Sequence, residues 1–194
     1  MSIILLLLRL PILIVHILVG LFTILFFPKE SKNFTSLHYR IMMLWMNILS
    51  SILGIKIDIR GIPDQSANLF VSNHVTYLDI IIINKLLPVN FIAKEEISSW
   101  PVIGRLASKT GTLFIKRGDN VESSKMIYEM EERFKLQNKI VFFPEGKIGN
   151  GKRVRKFHYK LFKSIENKEL YIQPIAIRYP IGYPINNNFS EIIS

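Results

Sequence analysis

His74 and Asp79 stand five positions apart in Asn73-His74-Val75-Thr76-Tyr77-Leu78-Asp79, directly after the apolar run Leu69-Phe70-Val71. Imidazole is the side chain that takes up a proton most readily near neutral pH. A carboxylate beside it orients the ring and stabilises the imidazolium that forms. The two residues are therefore a candidate general base and its partner, suited to drawing a proton from a hydroxyl. The competing reading is a helix-capping Asp79 and a surface His74.

The elements that must position the pair are legible in the pattern around it. Asn68 to Ser72 reads as a buried strand running into His74, and Asp79 to Leu87 as an apolar helix ended before Pro88. Further strands are predicted at Ile55–Ile59, Asn90–Lys94, Thr112–Lys116, Lys139–Phe143 and Tyr171–Arg178. An amphipathic helix is predicted over Asp119–Lys135, with Asp119 as cap and Met126, Ile127, Met130 and Phe134 on its apolar side. Strands separated by helices of this length predict an α/β fold with a mainly parallel central sheet flanked by helices. In such folds the chemistry sits beyond the carboxyl ends of the strands. His74, Arg117 and Pro144-Glu145-Gly146 each follow a predicted strand, so neighbouring parallel strands would bring all three into one cleft.

Composition narrows the partners. The chain of 194 residues has no cysteine, which excludes disulfides, thiolate zinc sites and a cysteine nucleophile. None of its four histidines has metal-site spacing, so no metal is expected. The net charge of +10 points to anionic partners. An apolar content of 49% beside that charge favours a membrane surface over nucleic acid. From Lys147 to Lys163 seven Lys or Arg residues occur with no acid, interleaved with Phe157, Tyr159 and Phe162. An anionic leaflet or the phosphates of an acidic donor suit that stretch; a solvated basic face with aromatics in the core is the rival.

The N-terminal third is apolar. Between Ile3 and Phe27 the strongly polar side chains are Arg9 and His16. The stretch Leu10–Phe27 approaches the length of about 17–25 residues that a spanning helix needs. A second apolar stretch, Leu37–Leu53, is stopped by Gly54. Residues 1–54 are read as a two-helix membrane anchor joined by a polar connector, and residues 55–194 as the α/β domain.

Four segments in order now carry a resemblance. Asn73–Asp79, Gly111-Thr112-Leu113-Phe114-Ile115-Lys116-Arg117, Phe143-Pro144-Glu145-Gly146 and Ile172-Gln173-Pro174-Ile175-Ala176-Ile177 resemble the four blocks of the 1-acylglycerol-3-phosphate and lysophospholipid acyltransferases, within the glycerolipid acyltransferase superfamily. The resemblance covers roughly residues 37–180. It implies transfer of a fatty acyl chain from a thioester, acyl-CoA or acyl carrier protein, to a lysophospholipid hydroxyl. The thioester is a co-substrate and no cofactor is expected. It implies His74 as base, Asp79 as its partner, and Arg117, Gly111, Glu145 and Gly146 around the acceptor phosphate. Asn73, Pro144 and Pro174 support the site, Pro174 by marking an edge or bulge. It also implies a membrane location, on the cytoplasmic face of a bacterial inner membrane.

The third block departs from the pattern. Phosphatidate-forming members usually continue Glu-Gly with Thr-Arg-Ser, whereas this chain has Lys147-Ile148-Gly149. Arg153 beyond that loop resembles an arrangement in bacterial relatives that include lyso-ornithine lipid acyltransferases. Lys147 or Arg153 would then replace the missing arginine. The other class of function is a non-catalytic lipid-surface binding protein that keeps the fold.

Overall fold

The structure is a computed structural model. It describes residues 3–28, 34–116, 120–149, 153–166 and 168–179, with the side chains of residues 3–6 and 120 outside the description. Arg117 and Asp119 lie outside the described residues.

Five strands form one sheet: β1 (Ala67–Ser72), β2 (Val89–Lys94), β3 (Leu113–Ile115), β4 (Lys139–Phe142) and β5 (Tyr171–Ile175). Their order is β3-β2-β4-β1-β5, and every pairing is parallel. Because side chains alternate across a strand, β1 and β4 each feed two cores. Leu69, Ile140 and Phe142 point to one face, where they meet Met126, Met130 and Phe134 of α5 (Asn120–Lys135). Phe70 and Val141 point to the other, against Ile83 of α3 (Leu78–Leu86) and against Leu87. A sheet covered on both faces explains why its central strands read as continuous apolar runs.

The predicted strand at Ile55–Ile59 does not form. Its alternation of half-buried and exposed residues is present at Ile55, Lys56 and Ile57, yet the segment has no strand partner. The chain instead meets edge strand β5 through a side chain: Gln173 Oε1 accepts from the Asp64 N–H at 2.8 Å, and Gln173 Nε2 donates to the Ile62 carbonyl at 3.3 Å. That edge also accommodates Pro174, which has no N–H to offer a further strand.

The first part of the chain forms α1 (Ile3–Thr23), a single 3₁₀ turn (Ile24–Phe26) and α2 (Ser36–Leu53). The helices are antiparallel neighbours. His16 stacks on Trp45 with ring centroids 4.5 Å apart, Trp45 Nε1 donates to the His16 carbonyl at 3.3 Å, and Phe27 meets His38 edge-on at the turn end. A Cβ on Gly20 would stand 2.7 Å from Trp45 Nε1, so glycine permits the close crossing. Gly54 ends α2 in the left-handed conformation, at φ 71°. Among the described residues one segment, Leu7–Phe26, is long and apolar enough to cross a membrane. α2 packs along α3, and Lys85 Nζ donates to Ser50 Oγ at 3.3 Å.

Candidate active site

The loop between β1 and α3 carries His74, and the first turn of α3 carries Asp79. On one continuous helix, residues five apart would point in different directions. Here Asn73–Tyr77 is non-helical, so the chain folds back and the two side chains meet. His74 Nδ1 lies 2.8 Å from Asp79 Oδ2. The same oxygen accepts the N–H groups of Val75 at 2.6 Å and Thr76 at 3.0 Å. Asp79 thus both caps the loop amides and holds the histidine, uniting the two readings its position allows.

Asp79 is fully buried. A buried carboxylate is costly unless its lone pairs are occupied, and here both oxygens are engaged. Oδ1 accepts the Tyr179 hydroxyl at 2.6 Å. Backbone amides can only donate, so Asp79 is the acceptor in this cluster and the His74 nitrogen facing it must carry the hydrogen. That fixes the tautomer: Nδ1 is protonated and Nε2 keeps its lone pair. Burial and then the Asp79 carboxylate, through its hydrogen bond and its charge, push the Tyr179 phenol far above its ordinary range. Tyr179 therefore remains a donor throughout the neutral range.

The imidazole plane is set by stacking. His74 lies on Phe143, just past β4, with centroids 4.0 Å apart and planes 12° apart, and Tyr77 meets it edge-on. The backbone adds further ties. Gly149 N–H donates to the His74 carbonyl at 2.7 Å. Asn73 Nδ2 donates to the Ile177 carbonyl at 2.9 Å, while Ile177 N–H donates to Asn73 Oδ1 at 2.8 Å. The loop holding His74 is therefore clasped from both neighbouring strands, β4 and β5.

His74 opens onto a pocket of about 160 Å³ that Asn73, Val75, Glu145, Gly149, Arg153 and Val154 also line. Glu145 is buried, and its Oε2 accepts the Arg155 N–H at 2.9 Å. Pro144 is buried and its carbonyl accepts the His158 N–H at 2.8 Å. These bonds tie the start of the basic stretch to the pocket wall. Gly146 is buried with φ 69°, a turn conformation that disfavours other residues. Lys147 is exposed and does not line the pocket.

Of the remaining expected members, Gly111 stands apart and Arg117 lies outside the described residues. Gly111 is at φ 87° in the turn before β3. It therefore sits at the amino edge of the sheet, opposite the His74 pocket, and serves the turn into the strand. Arg117 follows β3, which lies three strand positions from β1, about 14 Å at ordinary strand spacing. Of the three strand-end segments, β4 delivers Glu145 beside His74.

Phe143 and Tyr179 also belong to the site, although neither was given a role there from the sequence. Phe143 followed from being next to Pro144-Glu145; Tyr179 carried no such cue.

A family model described as Acyltransferase matches residues 56–178. The chain belongs to the acyltransferase family. The match takes in His74, Asp79, Glu145 and Arg153 and stops one residue before Tyr179. Among acyltransferase relatives, the lyso-ornithine lipid O-acyltransferase of Pseudomonas aeruginosa is 34% identical over 145 residues, covering 75% of this chain and 56% of that protein. The 1-acyl-sn-glycerol-3-phosphate acyltransferase of Neisseria gonorrhoeae is 33% identical over 128 residues, covering 66% of this chain and 50% of that protein. This chain spans about half the length of the curated relatives it matches. The crystal structure of the 1-acyl-sn-glycerophosphate acyltransferase PlsC from Thermotoga maritima superposes with a TM-score of 0.55 at 19% identity, over 69% of this chain and 55% of that one. That likeness extends to the fold: an α/β domain with a parallel sheet between helices.

Proposed function

We propose that this chain transfers a fatty acyl group from a thioester to the hydroxyl of a lysolipid, in phospholipid synthesis or remodelling. The observation that carries the proposal is that His74 lines the pocket while its Nδ1 is held at 2.8 Å by buried Asp79. His74 takes the hydroxyl proton as the oxygen attacks the thioester carbonyl. The imidazolium so formed is stabilised by Asp79. Collapse of the tetrahedral intermediate breaks the carbon–sulfur bond, and the thiolate leaves with the proton from His74. The products are an ester and a free thiol, and the only co-substrate is acyl-CoA or acyl-loaded carrier protein.

The acceptor has two readings. A lysophospholipid such as 1-acylglycerol-3-phosphate is favoured by the Neisseria relative's name and by Arg153 in the pocket, a planar cation suited to phosphate. A lyso-ornithine lipid is favoured by the Pseudomonas relative's name and by Lys147-Ile148-Gly149 in the third block. We assign the acceptor headgroup to Arg153 ahead of Lys147, because Arg153 shares the pocket with His74.

The membrane is the proposed site of action. The side chains of α1 that face away from the protein include Leu8, Ile12, Val15, Val19 and Phe22. A soluble protein does not leave such a stripe in water. A leaflet on the cytoplasmic side of a bacterial inner membrane supplies both lipid and thioester, and α2 extends the anchor by its pairing with α1.

The test is an acyl-transfer assay of the detergent-solubilised full chain. It offers 1-acylglycerol-3-phosphate and lyso-ornithine lipid, with and without acyl-CoA or acyl carrier protein. New diacyl product is expected, and His74→Ala is expected to lower turnover by about 10²–10⁴-fold while thermal unfolding is unchanged. Transfer by His74→Ala at the wild-type rate would remove the base assignment. No transfer to any acceptor, with intact vesicle binding, would leave a lipid-surface binding protein.

A further inference from the structure

We propose that Tyr179 is a positioning residue of the dyad, one that holds Asp79 Oδ1 and sets how strongly His74 takes up a proton. The inference rests on reading His74 as the base.

Asp79 Oδ2 receives His74 and two backbone amides, whereas Oδ1 has the Tyr179 hydroxyl at 2.6 Å. A distance of 2.6 Å is in the range of a charge-assisted O–H···O⁻ bond. The phenol arrives from a segment one hundred residues further along the chain, and that segment is itself fixed by the paired Asn73–Ile177 bonds. Tyr179 therefore reaches a defined place and does not sample the carboxylate from a loose tail.

The chemical consequence follows from shared charge. A donor on Oδ1 draws electron density from the carboxylate and competes with the imidazolium that forms on the other side. Without it, more charge is left for His74, and the imidazolium is favoured. A base that keeps its proton to higher pH is inactive to higher pH. Tyr179→Phe removes one oxygen and leaves the ring. It should shift the acid limb of the kcat/KM profile upward by about half a unit to one unit. A ring-fluorinated tyrosine at position 179 is a stronger donor and should shift that limb downward. A residue that only props up the loop would lower activity equally at all pH values and move neither limb.

Other ionisable groups surround the dyad. Tyr77 lies edge-on to the His74 ring from its own loop, Glu145 and Arg153 line the pocket from beyond β4, and Arg178 precedes Tyr179 with its side chain exposed. All are the same in the three proteins, so a difference between their profiles reports on the Tyr179 hydroxyl.

The experiment uses the full chain in detergent micelles with ¹⁵N-labelled histidine. The His74 ring signals, assigned with a His74→Gln spectrum, are followed through a pH titration in wild type, Tyr179→Phe and the fluorinated protein. Acyl-transfer profiles are recorded on the same samples. Opposite displacements of the His74 titration in the two variants are expected. Coincident titrations in all three would overturn the proposal. Should Tyr179→Phe fail to fold, the fluorinated protein decides alone. If no sample transfers acyl groups yet the His74 titration moves as expected, the positioning role stands and the reading of the site as an acyltransferase centre falls.

Discussion

At the scale of single residues, the Asp79 carboxylate is where the fold and the chemistry depend on the same atoms. It accepts four hydrogen bonds without solvent contact. One consequence concerns alkaline pH. An unfolded tyrosine loses its proton near pH 10.0, and folding raises that value for Tyr179. The folded state thus binds the proton more tightly, so the stabilisation is complete below about pH 10 and is lost as pH rises above it. The urea midpoint of wild type should fall faster than that of Tyr179→Phe between about pH 9 and pH 11. Parallel curves would mean that the phenol is not retained by Asp79. His74 and Asp79 were readable from type and spacing. Tyr179 was not, because a partner that far along the chain leaves no local periodicity or spacing to read.

At the scale of elements, most of the sheet follows from pattern. β1, β2 and β4 lie where apolar runs put them, since a buried parallel strand needs apolar side chains on both faces, and the exposed edge strand β5 starts where its own run does. The strand order is another matter. It depends on which crossover packs on which face, and no single strand's residues encode that. Hence Gly111, expected beside the acceptor, lies instead in the turn at the amino end of β3. The helix α4 (Ile103–Lys109) also escaped the sequence reading, because seven residues are too few to show a helical stripe. Its placement depends on Gly104. A Cβ there would collide with the Ser98 carbonyl oxygen and stand 2.7 Å from that of Ile97, in the 3₁₀ turn Glu95–Ser99. Both are backbone atoms, so neither can swing aside. Gly104→Ala is expected to cost about 1–3 kcal/mol in chemical denaturation. A variant as stable as wild type would show that the turn yields freely.

At the scale of the whole molecule, two surfaces of different chemistry meet a membrane in the proposed function. One is the apolar stripe of α1. The other is the segment Arg153–Lys163, where exposed Arg153, Arg155 and Lys156 alternate with exposed Val154, Phe157 and Tyr159. The first acts by burial of hydrocarbon and is insensitive to salt; the second acts by charge and is screened at high ionic strength. Full-length protein should stay on anionic vesicles at high salt. Protein lacking residues 1–28 should bind them at low salt and leave as salt rises, by flotation assay. Retention of the shortened protein at high salt would assign the anchoring to α2 or the domain.

The clasp between Asn73 and Ile177, with Tyr179 beyond it, also has a meaning in time. A ribosome delivers α1 first and Tyr179 among the last of the described residues. Edge strand β5 and its tail dock only after every other strand has been made. A nascent chain therefore carries His74 and Asp79 long before the Tyr179 hydroxyl exists to occupy the other carboxylate oxygen. Under the proposed function the dyad is assembled early and reaches its final balance of charge only when the last strand docks.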